Sequence, residues 1–318
     1  MRRVLFAGWL LLLSPALVAA AALMTVRALA GTRGTAISVT ALTPLLVRAV
    51  LHRVGQRSDP EADALLAALP MVSSRGVALF VGSLALASWM SGHPTALFQS
   101  PLSSEDAGLM GQMNVRTALF DAAIDRARPD CAQLVVLGAG YDTRAFTHGA
   151  GLAVFEVDAP QTQAVKRRSL LAIGAQHPGA LVPVDFNETP WLDALTAAGF
   201  DPALRTIVLW EGVSYYLPEA VVRQVLRSFA ALAPGSVVMF DYFAAHWVAW
   251  PVVRMLSGAL GEPFLFGLPT DPPARAVVAA LLDACGLSLE QHETLGAERP
   301  GRRTPAGFVI ARVSDQPP

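Results

Sequence analysis

The chain has 318 residues, with 24 lysines and arginines against 25 aspartates and glutamates, a net charge of −1. That balance offers no basic face for a phosphate backbone, so nucleic acid is excluded as a partner. Hydrophobic residues make up 53% and charged residues 15%, and the mean hydropathy is +0.45, high for an enzyme wholly in water, so part of the chain is expected to meet lipid. Cys131 and Cys285 have no C-x-x-C spacing and no histidine companions, which excludes a disulfide framework and predicts no metal site.

The first segment, Val4 to Val26 between Arg3 and Arg27, carries no charge and is long enough as a helix to cross about 30 Å of hydrocarbon. A membrane anchor is the leading reading. A cleavable signal peptide and a buried helix compete with it, the former because Arg2-Arg3, the leucine run and Leu17-Val-Ala-Ala20 stand in the right order. Next, Leu42, Leu45, Leu46, Ala49 and Val50 recur at helical spacing with Arg48, Arg53 and Arg57 on the other side, a pattern suited to a membrane surface, an active-site lid or an ordinary surface helix. Asp59-Pro60 then punctuates the chain before a short helix ending near Pro70. A second uncharged run, Gly76 to Gly92, is interrupted by Gly82, Ser83 and Ser88 and is borderline for a span; it either returns the chain to its starting side or packs on the enzyme. Residues 1–104 therefore read as a hydrophobic helical extension.

From about residue 105 short apolar runs alternate with helical patterns, the signature of a parallel sheet wrapped by helices on both faces. Seven strands are predicted: Gln133 to Gly138, Leu152 to Val157, Leu181 to Val184, Thr206 to Trp210, Ser236 to Tyr242, Leu287 to His292 and Gly307 to Val313. Helices are predicted over Val115 to Arg126, Gln161 to Ile173, Pro218 to Leu232 and Pro272 to Cys285. Residues 105–318 thus form one α/β domain of Rossmann-like type.

The densest information lies in Leu134-Val-Val-Leu-Gly-Ala-Gly-Tyr-Asp-Thr-Arg-Ala-Phe146 and Phe155-Glu-Val-Asp158. A strand runs into the turn Gly138-Ala139-Gly140, where missing side chains let a ligand reach the backbone, and a second strand ends on a carboxylate suited to ribose hydroxyls. A dinucleotide fold places a third glycine where this chain has Thr143, which argues against a pyrophosphate and for a ribose with a compact charged tail, as in S-adenosylmethionine. Further strand ends add Asp185-Phe186 and Glu211. Asp185 and Phe186 suit an adenine, although Asp185 could instead cap a helix starting near Thr189. Glu211, between Trp210 and Gly212, needs a cationic partner, either a group on the ligand or a structural salt bridge.

Arg116, L-G-A-G-Y-D-T-R, F-E-V-D-A-P with Lys166-Arg167-Arg168 following, V-D-F and W-E-G-V-S-Y-Y-L together resemble the leucine carboxyl methyltransferase family over roughly residues 105 to 313. The resemblance implies a class I methyltransferase fold and S-adenosylmethionine as cofactor. It implies that Arg116 holds the methionyl carboxylate, that Gly138 meets the cofactor by backbone, that Asp158 binds the ribose, that Asp185 and Phe186 flank the adenine, and that Glu211 lies by the amino-acid portion. The first hundred residues depart from the family pattern, and with them the choice of substrate. A cofactor made in the cytosol also weighs against the signal peptide and implies a membrane-anchored protein with its catalytic domain in the cytoplasm.

Methyl transfer from a sulfonium is an in-line displacement, so alignment in a dry pocket is the main task. A carboxylate acceptor, ionised at neutral pH, needs no base; Arg144 or Arg168 would orient it, unless they are surface or salt-bridging residues. A hydroxyl acceptor would need one, and His246 in Asp241-Tyr-Phe-Ala-Ala-His-Trp247 is the candidate. Tyr215 and Tyr216 would shape the acceptor pocket. The partner expected is a small or lipophilic molecule bearing a carboxylate or hydroxyl.

Overall fold

The structure, a computed structural model, describes residues 1–32, 40–95, 98, 108–186, 190–259, 261–270, 273–298 and 303–314. Its centre is a seven-stranded sheet of β1 (Gln133–Leu137), β2 (Ala153–Asp158), β3 (Ala180–Pro183), β4 (Thr206–Trp210), β5 (Val237–Phe243), β6 (Leu287–Thr294) and β7 (Ala306–Val313). The spatial order is β3-β2-β1-β4-β5-β7-β6. The first five strands are parallel, and β7 inserts antiparallel between β5 and β6. All seven fall where the apolar runs predict them. The Val and Leu of β1 and β4 are buried on both faces, as a central parallel strand covered by helices requires.

Two cores result. On one face, α9 (Trp191–Ala197), α10 (Glu219–Ser228) and α13 (Ala274–Asp283) pack on Val135, Leu137, Trp210 and Phe240; on the other, α6 (Gly108–Ala127) lays Val115, Phe120 and Ile124 against Leu134, Ile207 and Phe308. Helix α10 begins one residue later than the sequence pattern suggests, with Pro218 as its N-cap, and ends in a 3-10 turn over Phe229–Ala231. Chain order reverses at β1/β4, which makes the gap above their carboxyl ends the place where an open α/β sheet binds ligands.

The amino-terminal region is helical: α1 (Arg2–Leu12), α2 (Ser14–Thr32), α3 (Leu42–Arg53), α4 (Pro60–Ala68) and α5 (Ser74–Ser91). The single long helix expected over Val4 to Val26 is broken at Leu13, because Pro15 has no N–H to donate to Leu11 and its ring crowds that carbonyl. Helix α2 packs on α5 where Gly76 admits Met24, Ala20 and Leu23, and Phe6 of α1 meets His93 edge-on. One helix, Ser14–Gly31, is apolar and long enough to cross a membrane among the described residues, and 6% of it is buried. The serines that interrupt α5 are satisfied internally, Ser83 donating to the Leu79 carbonyl and Ser88 to the His93 carbonyl, both at 2.8 Å.

Helices α3 and α4 do not stand apart from the catalytic sheet. Leu45, Val50, Leu65 and Met71 share a core with Tyr141, Val165 and Leu170, the last two on α8 (Pro160–Ala172). This weighs against the membrane-surface reading of α3, since Leu45, Ala49 and Val50 are in the core and Arg48 is buried, while Arg53 is exposed and paired with Asp63. A Cβ on Gly307 of β7 would overlap the ring of Tyr242 on β5. Gly307→Ala is therefore expected to lower the unfolding free energy by about 1–3 kcal/mol, the usual cost of overpacking, read by urea denaturation in mild detergent.

Candidate functional site

At the end of β1 the chain turns through Gly138 and Gly140, both with positive φ (67° and 49°), a conformation that side-chain-bearing residues rarely take. Gly138 and Ala139 donate to the Val157 carbonyl at 2.8 and 3.0 Å, which pulls the turn against the end of β2. Asp158, the last residue of β2, accepts from Gly140 N at 2.6 Å and from Ala159 N at 2.7 Å. Burial pushes its pKa up against those two donors. Val213 fills the space beside Gly138, and Ala41, at the start of α3, covers Gly140.

Asp185 and Phe186 follow β3, which pairs with β2 so that Val184 N donates to the Asp158 carbonyl at 2.9 Å; Asp185 is exposed and Phe186 half-buried. Helix α9 starts at Trp191 with Pro190 as N-cap, and Thr189, near which the capping reading of Asp185 places a helix start, lies outside the described residues.

Beneath the turn runs a buried chain of ions. Arg57 bridges Asp59 (3.0 Å) and Asp121. Asp121 meets Arg144 at 2.6 Å, Arg144 meets Glu211 at 2.6 Å, Glu211 meets Arg116 at 2.8 Å, and Arg116 meets Asp241 at 2.7 Å. Asp142 branches from it, pairing with Arg144 and Arg48 at 2.7 Å each. Glu211 thus has its partners inside the protein, so the structural salt bridge holds. Arg144 is fully buried and committed to three carboxylates, which corrects its expected role as the acceptor-orienting arginine. Arg168 lies exposed on α8, bonded to the Ala164 carbonyl, and is no better placed for that role.

Burial pushes the Asp142 and Glu211 carboxyls up, but the arginines outweigh it and hold both below the ordinary range: Arg48 then Arg144 for Asp142, Arg144 then Arg116 for Glu211. Asp241 goes the other way, raised by burial despite Arg116 and the Gly212 N–H at 2.6 Å. Among the described atoms, Glu211 Oε1 and Arg116 Nε make an ion contact without a hydrogen bond, and Arg144 Nη2 and Tyr141 Oη have no hydrogen-bond partner.

Toward β5 the walls turn aromatic. Tyr215 packs against Tyr216 (4.7 Å between centroids), Phe243 (4.4 Å) and Phe264 (5.1 Å), and it also hydrogen-bonds to Arg116. Burial holds the Tyr215 phenol protonated well above its ordinary value, and Tyr216 is pushed up to about 12, also by burial. Tyr216 bonds to Thr40, and Thr40 in turn to Glu262 through backbone (3.3 Å) and hydroxyl. His246, half-buried, stands on the short helix α11 (Ala245–Val248) after β5.

Asp142, Asp241, Asp121 and Arg48 escape a reading of strand ends and motifs. Asp241 did carry a signal, a carboxylate inside the buried run Val237-Val-Met-Phe-Asp-Tyr-Phe243 that demands a partner. Asp121 and Arg48 lie on helices and carried none.

A doubly wound sheet with a glycine turn, a ribose-ready carboxylate and an ion chain at the switch point defines a nucleoside-cofactor fold of the class I methyltransferase type. The leucine carboxyl methyltransferase family matches residues 45–230, and the chain belongs to it. The match starts well before residue 105, so α3 and α4 with Arg48 and Asp59 fall inside it, while Asp241 and His246 fall outside. A protein from Mycolicibacterium vanbaalenii, named as an S-adenosyl-L-methionine-dependent methyltransferase, is 34% identical over 58% of this chain and 59% of its own length. One of the same description from Bacillus subtilis is 35% identical over 50% and 55%. The chain spans about half the length of the curated relatives it matches. Among solved structures, a DUF574 family protein from Streptomyces avermitilis aligns over 63% of this chain and 83% of its own at 16% identity, with a TM-score of 0.46.

Breaking the ion chain leaves an uncompensated buried charge, so Arg116→Met is expected to cost about 3–5 kcal/mol of stability in urea unfolding. Asp142 and Glu211 have depressed pKa values, so their stabilisation is complete above their unfolded values near 4 and is lost as pH falls through the folded ones. Unfolding free energy should drop between about pH 4 and pH 2, and Glu211→Gln should flatten that slope.

Proposed function

We propose that the chain is an S-adenosylmethionine-dependent O-methyltransferase acting on the carboxylate of a small or lipophilic acceptor, held at a membrane by its amino-terminal helices. One observation carries the cofactor reading. Glu211 Oε1 and Arg116 Nε form a buried ion pair at 2.8 Å at the switch point, which sets a carboxylate and a guanidinium side by side. An α-amino acid group brings an ammonium for the first and a carboxylate for the second. The charge count agrees. Four arginines (Arg48, Arg57, Arg116, Arg144) face five carboxylates (Asp59, Asp121, Asp142, Glu211, Asp241), an excess of one negative charge that complements the single net positive charge of S-adenosylmethionine.

In this reading Arg116 and Glu211 hold the amino-acid end, Gly138, Ala139 and Gly140 line the turn beside it, Asp158 accepts from the ribose, and Asp185 with Phe186 flanks the base. The bound cofactor supplies an electrophilic methyl group on a sulfonium. The protein supplies position and dryness. The ion chain fixes the Arg116 and Glu211 side chains, Ala41 and Val213 close over the glycines, and the Tyr215, Phe243 and Phe264 rings exclude water from the acceptor side.

Tyr215 cannot serve as a base at neutral pH, because burial keeps its phenol protonated. An acceptor that arrives ionised needs none, which favours a carboxylate over an alcohol. The anchor reading rests on Ser14–Gly31, an apolar helix that leaves Val18, Val26 and Leu29 more than half exposed. In this reading residues 1–104 carry the anchor in α1 and α2 and a lid in α3 and α4 that is bound into the methyltransferase domain of residues 105–318 through Arg48, Arg57 and Asp59.

Calorimetry on the full chain should find S-adenosylmethionine binding and no NAD binding. Asp158→Ala should weaken it by roughly ten- to a hundredfold, the worth of one or two charge-assisted hydrogen bonds. Binding of NAD alone would overturn the cofactor assignment. On a panel of carboxylic acids, the transfer rate should stay flat between about pH 6 and pH 8. His246→Ala should cost less than about tenfold in kcat, below the roughly 10²–10⁴ that a general base contributes. A neutral-pH inflection lost in that variant would point instead to a hydroxyl acceptor.

A further inference from the structure

The segment after α11 carries an apolar surface that the methyl-transfer chemistry does not use. Helix α12 (Pro251–Ala259) turns Val253 and Ser257 inward and leaves Val252, Met255 and Leu256 exposed, flanked by exposed Trp250 and Leu265. From Ala245 to Gly261 there is no Asp or Glu, and the charge-bearing residues are His246 and Arg254. A short amphipathic helix with Trp, Leu and Met on one face and a single cation beside them has the composition of an interfacial membrane element.

Its position matters more than its composition. Leu265 N and Phe266 N both donate to the Tyr215 carbonyl, at 2.7 and 3.3 Å, and Phe264 stacks among Tyr215, Tyr216 and Phe243. Trp250 lies 5.3 Å from Trp247, itself packed on the core behind the aromatic chamber. The outer apolar face therefore backs directly onto the wall of the acceptor side.

Two contacts bring the anchor helix to the same place. Glu262, three residues beyond α12, binds Thr40, next to the Ala41 that covers Gly140. Near the end of α2, Gly31 lies against Pro70 and Met71, and Met71 shares a core with Ala41, Leu42 and Tyr141. Both α12 and the carboxyl end of α2 thus connect to the segment around Ala41. A bilayer is a continuous apolar phase that receives both, with headgroups to meet Arg254, whereas a protein groove fitted to α12 would leave α2 in water.

We propose that the α12 face, with Trp250 and Leu265, docks on a lipid bilayer beside α2, so that the aromatic acceptor chamber opens against the membrane. This deepens the lipophilic-acceptor reading and rests on it only for the identity of the chamber; the docking itself stands on the surface.

The test places the full chain in phosphatidylethanolamine–phosphatidylglycerol vesicles whose acyl chains carry bromine. The Trp250 contribution, taken as the difference in emission between the wild-type chain and Trp250→Phe so that Trp9 and Trp89 of the amino-terminal helices cancel, should be quenched, and it should shrink about tenfold in Met255→Glu/Leu256→Glu, since a charge on the docking face expels it from hydrocarbon. Unchanged S-adenosylmethionine affinity of the double variant in calorimetry confirms that it is folded. Trp250 quenched by aqueous iodide and untouched by brominated lipid overturns the proposal. So does a Met255→Cys chain that crosslinks to a second copy with Trp250 shielded from both quenchers, which assigns the face to self-association. A wild-type chain that binds no S-adenosylmethionine yet keeps the lipid-quenched Trp250 defeats the methyltransferase reading and leaves the docking intact.

Discussion

The buried ion chain from Arg57 through Asp121, Arg144, Glu211 and Arg116 to Asp241 joins parts of the molecule that nothing else brings together. Arg57 follows the amino-terminal helix α3, Asp121 and Arg116 come from α6, Arg144 from the turn after β1, Glu211 from the end of β4 and Asp241 from β5. Charges at this depth survive only when each has a partner, because desolvation costs several kcal/mol per ion. The chain is therefore all or nothing. Once assembled it fixes the rotamers of the two groups, Arg116 and Glu211, that meet at the switch point of the sheet.

That constraint also explains why the amino-terminal region divides in two. Helices α3 and α4 are bound into the catalytic body through Arg48, Arg57 and Asp59, with Thr143 donating to Asp59 at 2.9 Å, and through the apolar core around Tyr141. They form the roof of the glycine turn. Among the described residues, helices α1, α2 and α5 contribute no ion to the network; α5 buries Val77 and Val81, while Val18, Val26, Leu29 and Trp89 stay exposed. One half of the extension is tied to the ion chain, and the other half is not.

A second polar cluster shows what the same physics does without a site. Glu156, in the middle of β2, is fully buried with Lys166 and with His177 Nε2 at 3.1 Å, and Lys166 also donates to the Asp142 carbonyl at 2.6 Å. It ties α8 to the underside of the glycine turn. Its charges are matched within the protein, whereas the ion chain above, with its branches, carries one carboxylate in excess.

Much of this was legible in the linear chain. Strand positions follow from short apolar runs bounded by turns, a local signal, and the G-A-G turn with Asp158 follows from spacing because β1 and β2 are neighbours in sequence and in space. The same locality gave Glu211 its need for a cation. The identity of that cation was not local. Glu211 meets Arg116 from ninety-five positions upstream and Arg144 from sixty-seven, and either distance becomes a contact only when the sheet orders β1 beside β4 and lays α6 across both. The inward turn of Arg48 was equally hidden, since an arginine opposite an apolar stripe reads as solvated until a buried Asp142 is known to wait beneath it. The sequence by itself determined the elements, the sheet and the donor turn, because these depend on periodicity and near neighbours. Only the tertiary structure decided which charges neutralise one another, which helices roof the glycine turn and which keep apolar side chains exposed, because pairing and exposure are set by contacts between segments far apart in the chain.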